Sequence, residues 1–388
     1  MKTRNMGMGL YIHIPFCVSK CSYCDFLSFE CSKIQEQYVQ ALINEIRSTS
    51  NLTQIDTVYI GGGTPTALPI LLLCKILQEL QHMNIASDAE ITVEMNPCTN
   101  SHSLMTALKS HGINRLSIGL QAWQDDLLKK IKRSHTSKDF ADTIQAAKSV
   151  GINNINVDLM FGLPGQTMTK WKESISQTIS YEPSHISTYS LTPAENTPLW
   201  DAIEAGDVLL PDEETDRDMY HEAIAMLTAA GYEHYELSNF SKPGKESQHN
   251  VDCWTRKPYL GLGLGAHSFS GDARWHNTIE MDKYLGYWQL VQPKGTTASI
   301  AQPFPSAEDY LLLSVQDAMA EFMFLGLRMT KGVSPQYFYS QFGKTLDSCF
   351  GNNIKNLVTR GLLVKKDGNF ALSALGLDLA NQVFESFV

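Results

Sequence analysis

The chain has 388 residues, of which 43% are hydrophobic and 19% charged. At roughly 150 residues per domain that is one large unit with an appendage, or two domains, and the mix excludes disordered, collagen-like and coiled-coil classes. Its 31 basic against 41 acidic side chains leave a net charge of −10, which denies a general nucleic-acid binder the basic face it needs to displace counterions. The longest apolar stretch, Leu68 to Leu73 and on past Lys75 to Leu77, is about half the roughly 20 residues that span a bilayer. Met1 to Leu10 carries Lys2 and Arg4 without a signal-type apolar core. The expectation is a cytoplasmic protein with at most peripheral membrane association.

In chain order, Leu10–Ile14, Thr57–Ile60, Glu90–Glu94, Arg115–Leu120, Asn156–Met160 and His185–Leu191 read as strands. Between them Ile34–Ser48, Thr66–His82, Ser101–His111, Ser137–Val150 and Thr167–Tyr181 carry apolar residues three and four apart, which predicts a crossover helix in each gap. Such alternation builds parallel βαβ units, in an open sheet or a barrel. Gly112 and Gly151 stand where two of these helices would end. From about Asp212 the pattern changes to a helix reaching Ala230, then glycine-rich and aromatic-rich chain to about Trp288 with short extended pieces. Pro293–Pro305 reads as a linker and the remainder as a small, mostly helical domain. Its ending, Leu357–Val364, Lys365–Gly368 and Asn369–Leu372, predicts a helix, a strand and a tight turn in the manner of a winged helix. The expected division is 1–235, 236–292 and 293–388.

Cys17-Val-Ser-Lys-Cys21-Ser-Tyr-Cys24 puts three of the eight cysteines in the loop after the first strand. In a reducing compartment this spacing points to metal or redox chemistry rather than to a disulfide framework. Three thiolates are one short of a closed structural zinc site, and one short of the four that usually hold a [4Fe–4S] cube. The cube reading therefore leaves one iron with an open position. A zinc site completed by His13 or Cys31 is the alternative. Gly61-Gly62-Gly63 lacks the Lys-Ser/Thr of a phosphate loop, so it is either a plain turn or a place where backbone approaches a ligand.

The cysteine spacing, Tyr23 before the last cysteine, and the position after the first strand resemble the radical S-adenosylmethionine (SAM) superfamily. Further segments resemble its coproporphyrinogen III oxidase-like branch: His13-Ile-Pro-Phe16, Cys24-Asp-Phe26, Gly61-Gly-Gly-Thr-Pro65, Glu94-Met-Asn-Pro97, Ser117-Ile-Gly-Leu-Gln121, Asp158-Leu-Met-Phe-Gly-Leu-Pro164, Tyr232 to Asn250 and Gly261 to Ser268. Eight segments in the same order cover nearly the whole chain. The resemblance implies an α/β fold, a partial (β/α)6 TIM-like barrel followed by the winged-helix-like domain. It implies a [4Fe–4S] cluster on Cys17, Cys21 and Cys24 whose open iron chelates the amino and carboxylate groups of SAM, ready for reductive cleavage of the sulfonium. It assigns the backbone of Gly61-Gly62-Gly63 to the methionyl amino group, and counts Thr64 and Tyr11 with Gly62 and Gly63 among the cofactor-binding residues. Glu94 matches a cofactor-binding position; Gln121, Arg133 and Asp158 match positions that hold the methionine carboxylate, the ribose or a second bound molecule, and an arginine fork suits a carboxylate.

Gln248-His249-Asn250-Val-Asp-Cys253-Trp254, preceded by Ser238–Phe240 and Lys242–Gly244, resembles the His-Asn-X-X-Tyr-Trp motif that the heme chaperones of this branch tie to heme binding. The resemblance implies heme contacts at His249 and Trp254 and a client apoprotein that receives the heme. Cys253 stands where the motif has Tyr, either as an iron ligand or as a bystander. The oxidase pattern CX3CX2CXC is broken by Phe26, and 16 residues precede Cys17 where the oxidase has a longer segment. The expectation is a chaperone, with oxidase-type or radical SAM methyltransferase activity as alternatives.

Overall fold

The computed structural model describes residues 7–30, 33–49, 53–290 and 306–388, so that Cys31 and the expected linker Pro293–Pro305 lie outside the described residues. All six expected strands form: β1 (Met8–Ile14), β2 (Ile55–Gly62), β3 (Ile85–Met95), β4 (Arg115–Gln121), β5 (Asn154–Phe161) and β6 (His185–Ser190). They pair in parallel and in chain order. A parallel connection must cross a face of the sheet, and each one carries a helix: Gln35–Ser48, Ile70–Leu80, His102–Ser110, Ser137–Ser149 and Met168–Ser180. Local chemistry sets where the helices start. Ser101, Thr136 and Thr167 each accept a first-turn backbone N–H on the side-chain oxygen, and Thr136 with Asp139 forms a reciprocal capping box. β1 and β4 are buried almost throughout, as strands covered on both faces must be.

The sheet is larger than six strands. A seventh parallel strand, Tyr259–Leu262, pairs with the free side of β1 and leads into an antiparallel run, His267–Phe269, Ala273–Asn277 and Ala307–Leu312. At the other edge Asn239–Ser241 and Glu233–Glu236 add antiparallel to β6, giving twelve strands in one sheet among the described residues. The seventh strand hides from sequence reasoning because it carries Gly261, a poor strand former. A Cβ at Gly261 would meet the His267 carbonyl oxygen at 2.1 Å, so the tight return of the chain there excludes any side chain. Two short helices, Asp125–Lys130 and Pro198–Glu204, also escape the periodicity argument because neither completes two turns.

Residues after 313 build a second apolar cluster, with Met323, Leu327, Phe338, Phe350, Leu357 and Phe387 at its centre. Helices Val315–Gly326, Pro335–Phe342 and Leu346–Thr359 precede a hairpin, Leu363–Lys366 with Asn369–Leu372. The helix expected over Leu357–Val364 stops at Thr359, and the tight turn lies between two strands, at Asp367-Gly368. Both residues have positive φ, as the two-residue hairpin turn that matches strand twist requires.

Helix Gln35–Ser48 is tied to the chain beyond the seventh strand, beside β1, by one buried carboxylate. Glu45 is fully buried and accepts from the Tyr284 hydroxyl at 2.6 Å, the Asn277 amide at 2.6 Å and the Gly263 N–H at 2.8 Å. Burial pushes its carboxyl up to about 7, against the pull of those three donors. Glu45→Ala strands all three, so the expected result is a loss of about 3 kcal/mol of stability. The shift of the urea midpoint measures it, and an unchanged midpoint would show that the network is dispensable.

Candidate functional site

The sheet is curled. Tyr59, Glu94, Gln121, Asp158 and Tyr189, one from each of β2 to β6, line a single cavity of about 630 Å³. Neighbouring strands stand about 4.8 Å apart, so five of them surround one space only if the sheet closes part-way into a barrel. The loops after β1 and β2 and the chain after β4 complete the wall with Cys17, Cys21, Cys24, Gly62, Gly63, Thr64 and Arg133. This is the end of a barrel where ligand groups collect, because the loops there vary while the strands fix their roots. The volume is that of an ordinary cofactor site.

The cysteine loop is held by backbone bonds from Ser22 N–H to Ile131 O at 3.2 Å and from Leu199 N–H to Ser22 O at 2.9 Å. The Thr64 hydroxyl donates to Cys17 Sγ at 3.6 Å and Arg133 Nη1 donates to Cys21 Sγ at 3.5 Å. Burial pushes the Cys17 and Cys24 thiols up, so metal binding must expel their protons. Among the described residues no three His, Cys, Asp or Glu side chains form a single-ion site. A cube asks for something else, since each thiolate meets a different iron, and three thiols lining one volume fit that demand. Both nitrogens of His13 are engaged: Nε2–H donates to Leu27 O at 2.9 Å and Nδ1 accepts from the Tyr11 hydroxyl at 2.9 Å. None remains for zinc.

The glycine turn is built for close approach. Gly62 has φ +109°, and a Cβ there would lie 2.4 Å from the His13 ring, while one on Gly63 would lie 2.8 Å from the Phe16 carbonyl oxygen. Its backbone also orients the acid next to it, since Gly62 N–H donates to Glu94 Oε2 at 3.2 Å and the Tyr59 hydroxyl donates to Oε1 at 2.7 Å. Burial pushes the Glu94 carboxyl up to about 7, and the Asp158 carboxylate adds to the push. Asp158 is itself raised by burial, against donation from Asn156 Nδ2 at 2.7 Å and Ser117 Oγ at 3.3 Å. Arg133 donates from Nη2 to Gly119 O at 2.6 Å, and its Nε is buried without an acceptor. Arg133 lines the cavity, and a guanidinium there suits an anionic group, which is what a cofactor carboxylate supplies. Gln121 reaches the cavity from a left-handed backbone, φ 67°, and its Oε1 accepts from the Tyr189 hydroxyl at 2.8 Å. The donor set and the cradle fit both the cluster and SAM.

Tyr11 is not among the cavity's lining side chains, but it pairs with Tyr59 across the β1–β2 register and its ring stacks on that of Tyr59 at 6.4 Å, on the cavity-facing side of the sheet. Its hydroxyl donates to His13 Nδ1, so it supports the ring against which Gly62 packs.

His249 and Trp254 belong to one helix, Gln248–Trp254, and face apart. Five residues along a helix rotate a side chain by about 140° from its starting direction. His249 is buried behind the cavity: Nδ1 is hydrogen-bonded to Thr57 Oγ1 at 3.0 Å, the ring stacks on Tyr59 at 5.3 Å, and the backbone N–H donates to Glu90 Oε1 at 3.3 Å. Burial, with Arg115 and Lys257 nearby, lowers it to about 4, so at neutral pH it is a neutral imidazole. Trp254 lies instead under the Arg328 guanidinium, 4.4 Å from the ring centroid. Asn250, between them, lines the cavity; His249 and Trp254 do not. Burial and Asp252 push the Cys253 thiol up to about 12, which keeps it protonated at neutral pH.

Sequence reasoning missed Tyr59, Arg115, Ser117, Asn156, Ser187 and Tyr189, all of which line the cavity. The signal was there as period-two polarity in otherwise apolar strands: Ser117-x-Gly119-x-Gln121, Asn156-x-Asp158 and Ser187-x-Tyr189. Asn156 organises this wall. Its amide donates to Asp158 and to Ser117 Oγ, while its Oδ1 accepts from His185 Nδ1–H at 2.6 Å and from Ser187 Oγ at 3.1 Å.

A model of the radical SAM superfamily matches residues 11–177, and one of the HemN C-terminal domain matches residues 313–379. Over 384 residues the chain is 37% identical to the heme chaperone HemW of Bacillus subtilis (strain 168), covering 97% of this chain and 98% of that relative. The chain belongs to the HemW family of radical SAM proteins. A second HemW, from Escherichia coli (strain K12), is 36% identical over 266 residues, 67% of this chain and 69% of the relative. The mitochondrial radical S-adenosyl methionine domain-containing protein 1 of Bos taurus is 30% identical over 390 residues, 98% and 87% of the two chains. Among solved structures, coproporphyrinogen III oxidase (HemN) from Escherichia coli superposes with a TM-score of 0.83 over 98% of this chain and 90% of its own, at 22% identity. That likeness establishes the fold: a radical SAM partial barrel with the HemN-type C-terminal domain. Membership of the HemW family implies a [4Fe–4S] cluster and SAM. Among the described residues no helix is long and apolar enough to cross a membrane.

Proposed function

We propose that this chain is a heme chaperone that holds a [4Fe–4S] cluster and SAM in its barrel, binds heme, and delivers it to client apoproteins in the cytoplasm. The observation that carries the reading is the end-to-end likeness to curated heme chaperones, with the His249 segment inside the matched region. Cys17, Cys21 and Cys24 hold the cluster, while Gly62, Gly63, Thr64, Glu94, Gln121, Arg133 and Asp158 hold SAM. When bound, the cluster supplies a single electron and one open iron for SAM. The protein's own contribution is the polar wall: Gly62 and Tyr59 fix the Glu94 carboxylate, and Arg133 brings a guanidinium to the wall for a carboxylate. His249 is the heme residue, a neutral imidazole seated against Tyr59, and Trp254 adds apolar area. The division at 235 and 292 belongs to the same reading, with cofactors before it and the heme segment after it.

The test is a titration of anaerobically reconstituted protein with hemin, alongside an assay with reduced protein and coproporphyrinogen III. A saturable Soret band with one heme per chain and no protoporphyrinogen IX is expected. Phe26, 65% exposed at the cavity rim, stands where the oxidase pattern has a fourth cysteine. Sustained conversion of coproporphyrinogen III would replace this reading with the oxidase, and methyl transfer from SAM to an acceptor would replace it with a methyltransferase.

A pH dependence follows from Glu94. Its carboxyl titrates at about 7, so the acceptor form fills as pH rises through 7 and is lost below it. SAM affinity should be flat above pH 8 and fall about tenfold per unit below pH 7. Calorimetry on the reconstituted protein from pH 6 to 8 measures it, and Glu94→Gln should bind weakly with no slope.

A further inference from the structure

A guanidinium stacked on an indole leaves two buried N–H groups, one on each residue, without an acceptor. Arg328 Nε and Trp254 Nε1 are both shielded from solvent and unpaired, and the guanidinium lies 4.4 Å from the Trp254 ring centroid and 5.9 Å from that of Phe384. Arg328 forms no ion pair among the described residues. Glu236 is the carboxylate whose charge reaches it, but Glu236 Oε1 is occupied by the Ser238 N–H at 3.0 Å. Burial correspondingly lowers the Arg328 guanidinium, the mark of a charge without enough compensation. Leaving two such donors unmet is costly, and their common complement is one anionic oxygen with apolar area around it. Arg328 follows helix Val315–Gly326 and Trp254 ends the helix that carries His249, so the pair spans the junction between the heme segment and the C-terminal cluster.

We propose that Arg328 and the Trp254 indole N–H form a receptor for a carboxylate of the bound porphyrin, so that a heme propionate is recognised at the C-terminal junction, away from the iron. The assignment rests on the heme-chaperone reading and adds the residue that selects the ligand's acid group. It also gives Trp254 a polar task that its divergence from His249 leaves open.

The experiment titrates reconstituted full-length protein with hemin and with iron protoporphyrin IX dimethyl ester, in wild type, Arg328→Gln and Arg328→Lys, reading affinity from the Soret band. Arg328→Gln should weaken hemin about tenfold and leave the ester within about twofold, because the esterified ligand has no carboxylate to lose. Wild type should bind the ester about as weakly as Arg328→Gln binds hemin. Arg328→Lys keeps the charge without the fork and should fall between the two for hemin. Cluster iron and the thermal melt report whether each variant is folded, and Arg328→Lys decides the case if Arg328→Gln is not. Equal losses for both ligands, or wild-type affinity for hemin in the variants, overturn the assignment and leave the chaperone reading intact. Absence of saturable hemin binding in the wild type overturns both.

Discussion

Replacing Cys21 by alanine should take the protein from about four irons per chain after anaerobic reconstitution to well under one. Three thiols line the cavity, and Arg133 donates directly to the Cys21 sulfur, so the wall holds a cation against this ligand. Two remaining cysteines cannot hold a cube, and SAM affinity should fall with the iron because the open coordination position goes too. Iron and sulfide analysis beside a SAM titration measures both. A Cys21→Ala protein with full iron content would remove the cluster assignment, and one zinc per chain in protein kept free of oxygen would put a structural site in its place.

The other large effect is expected from a single methyl group. Gly62→Ala puts a Cβ 2.4 Å from a His13 ring that cannot retreat, since Tyr11 holds one nitrogen and Leu27 O the other. The backbone at φ +109° adds strain of about 1–3 kcal/mol. The turn must move, and with it the N–H that fixes Glu94. SAM affinity should drop a hundredfold or more, with a lower melting temperature. Gly112→Ala is the matched control, because it also has positive φ, +87°, but nothing lies within 4 Å of the added Cβ. It should cost about 1 kcal/mol and leave SAM binding alone. Equal effects of the two substitutions would show that backbone strain alone, and not the cradle, accounts for the loss.

The contrast between these glycines marks how far the sequence is legible. Alternating apolar runs and helical spacings carry strong, local signals, so β1 to β6 and their crossover helices can be read directly, and the cysteine loop announces itself by spacing. The strand Tyr259–Leu262 cannot be read this way, since its glycine and its pairing with β1 some 250 residues earlier are tertiary facts. The same holds inside the cavity. Glu94 and Asp158 stand out as acids at strand ends, whereas Asn156 and Ser117 become visible only when the register of β4 and β5 sets them side by side, with Ser117 opposite Asn156. Tyr11 is legible only through the resemblance: the alternation of β1 sets it on one face with His13 and, across the register, with Tyr59, which no local pattern reveals.

The seat of His249 governs time as well as affinity. Its imidazole is lodged between Thr57 and Tyr59, with β1 close behind it at Gly9. For a heme ligated at this nitrogen, the ring must first leave that seat, so capture contains a step that more heme cannot hasten. Uptake rates should therefore level off at high heme, where a ready-made exposed histidine would keep accelerating. The same seat receives the ring again when the heme departs. A carrier built like this keeps its base seated between deliveries, with Nδ1 held by Thr57 and the ring against Tyr59.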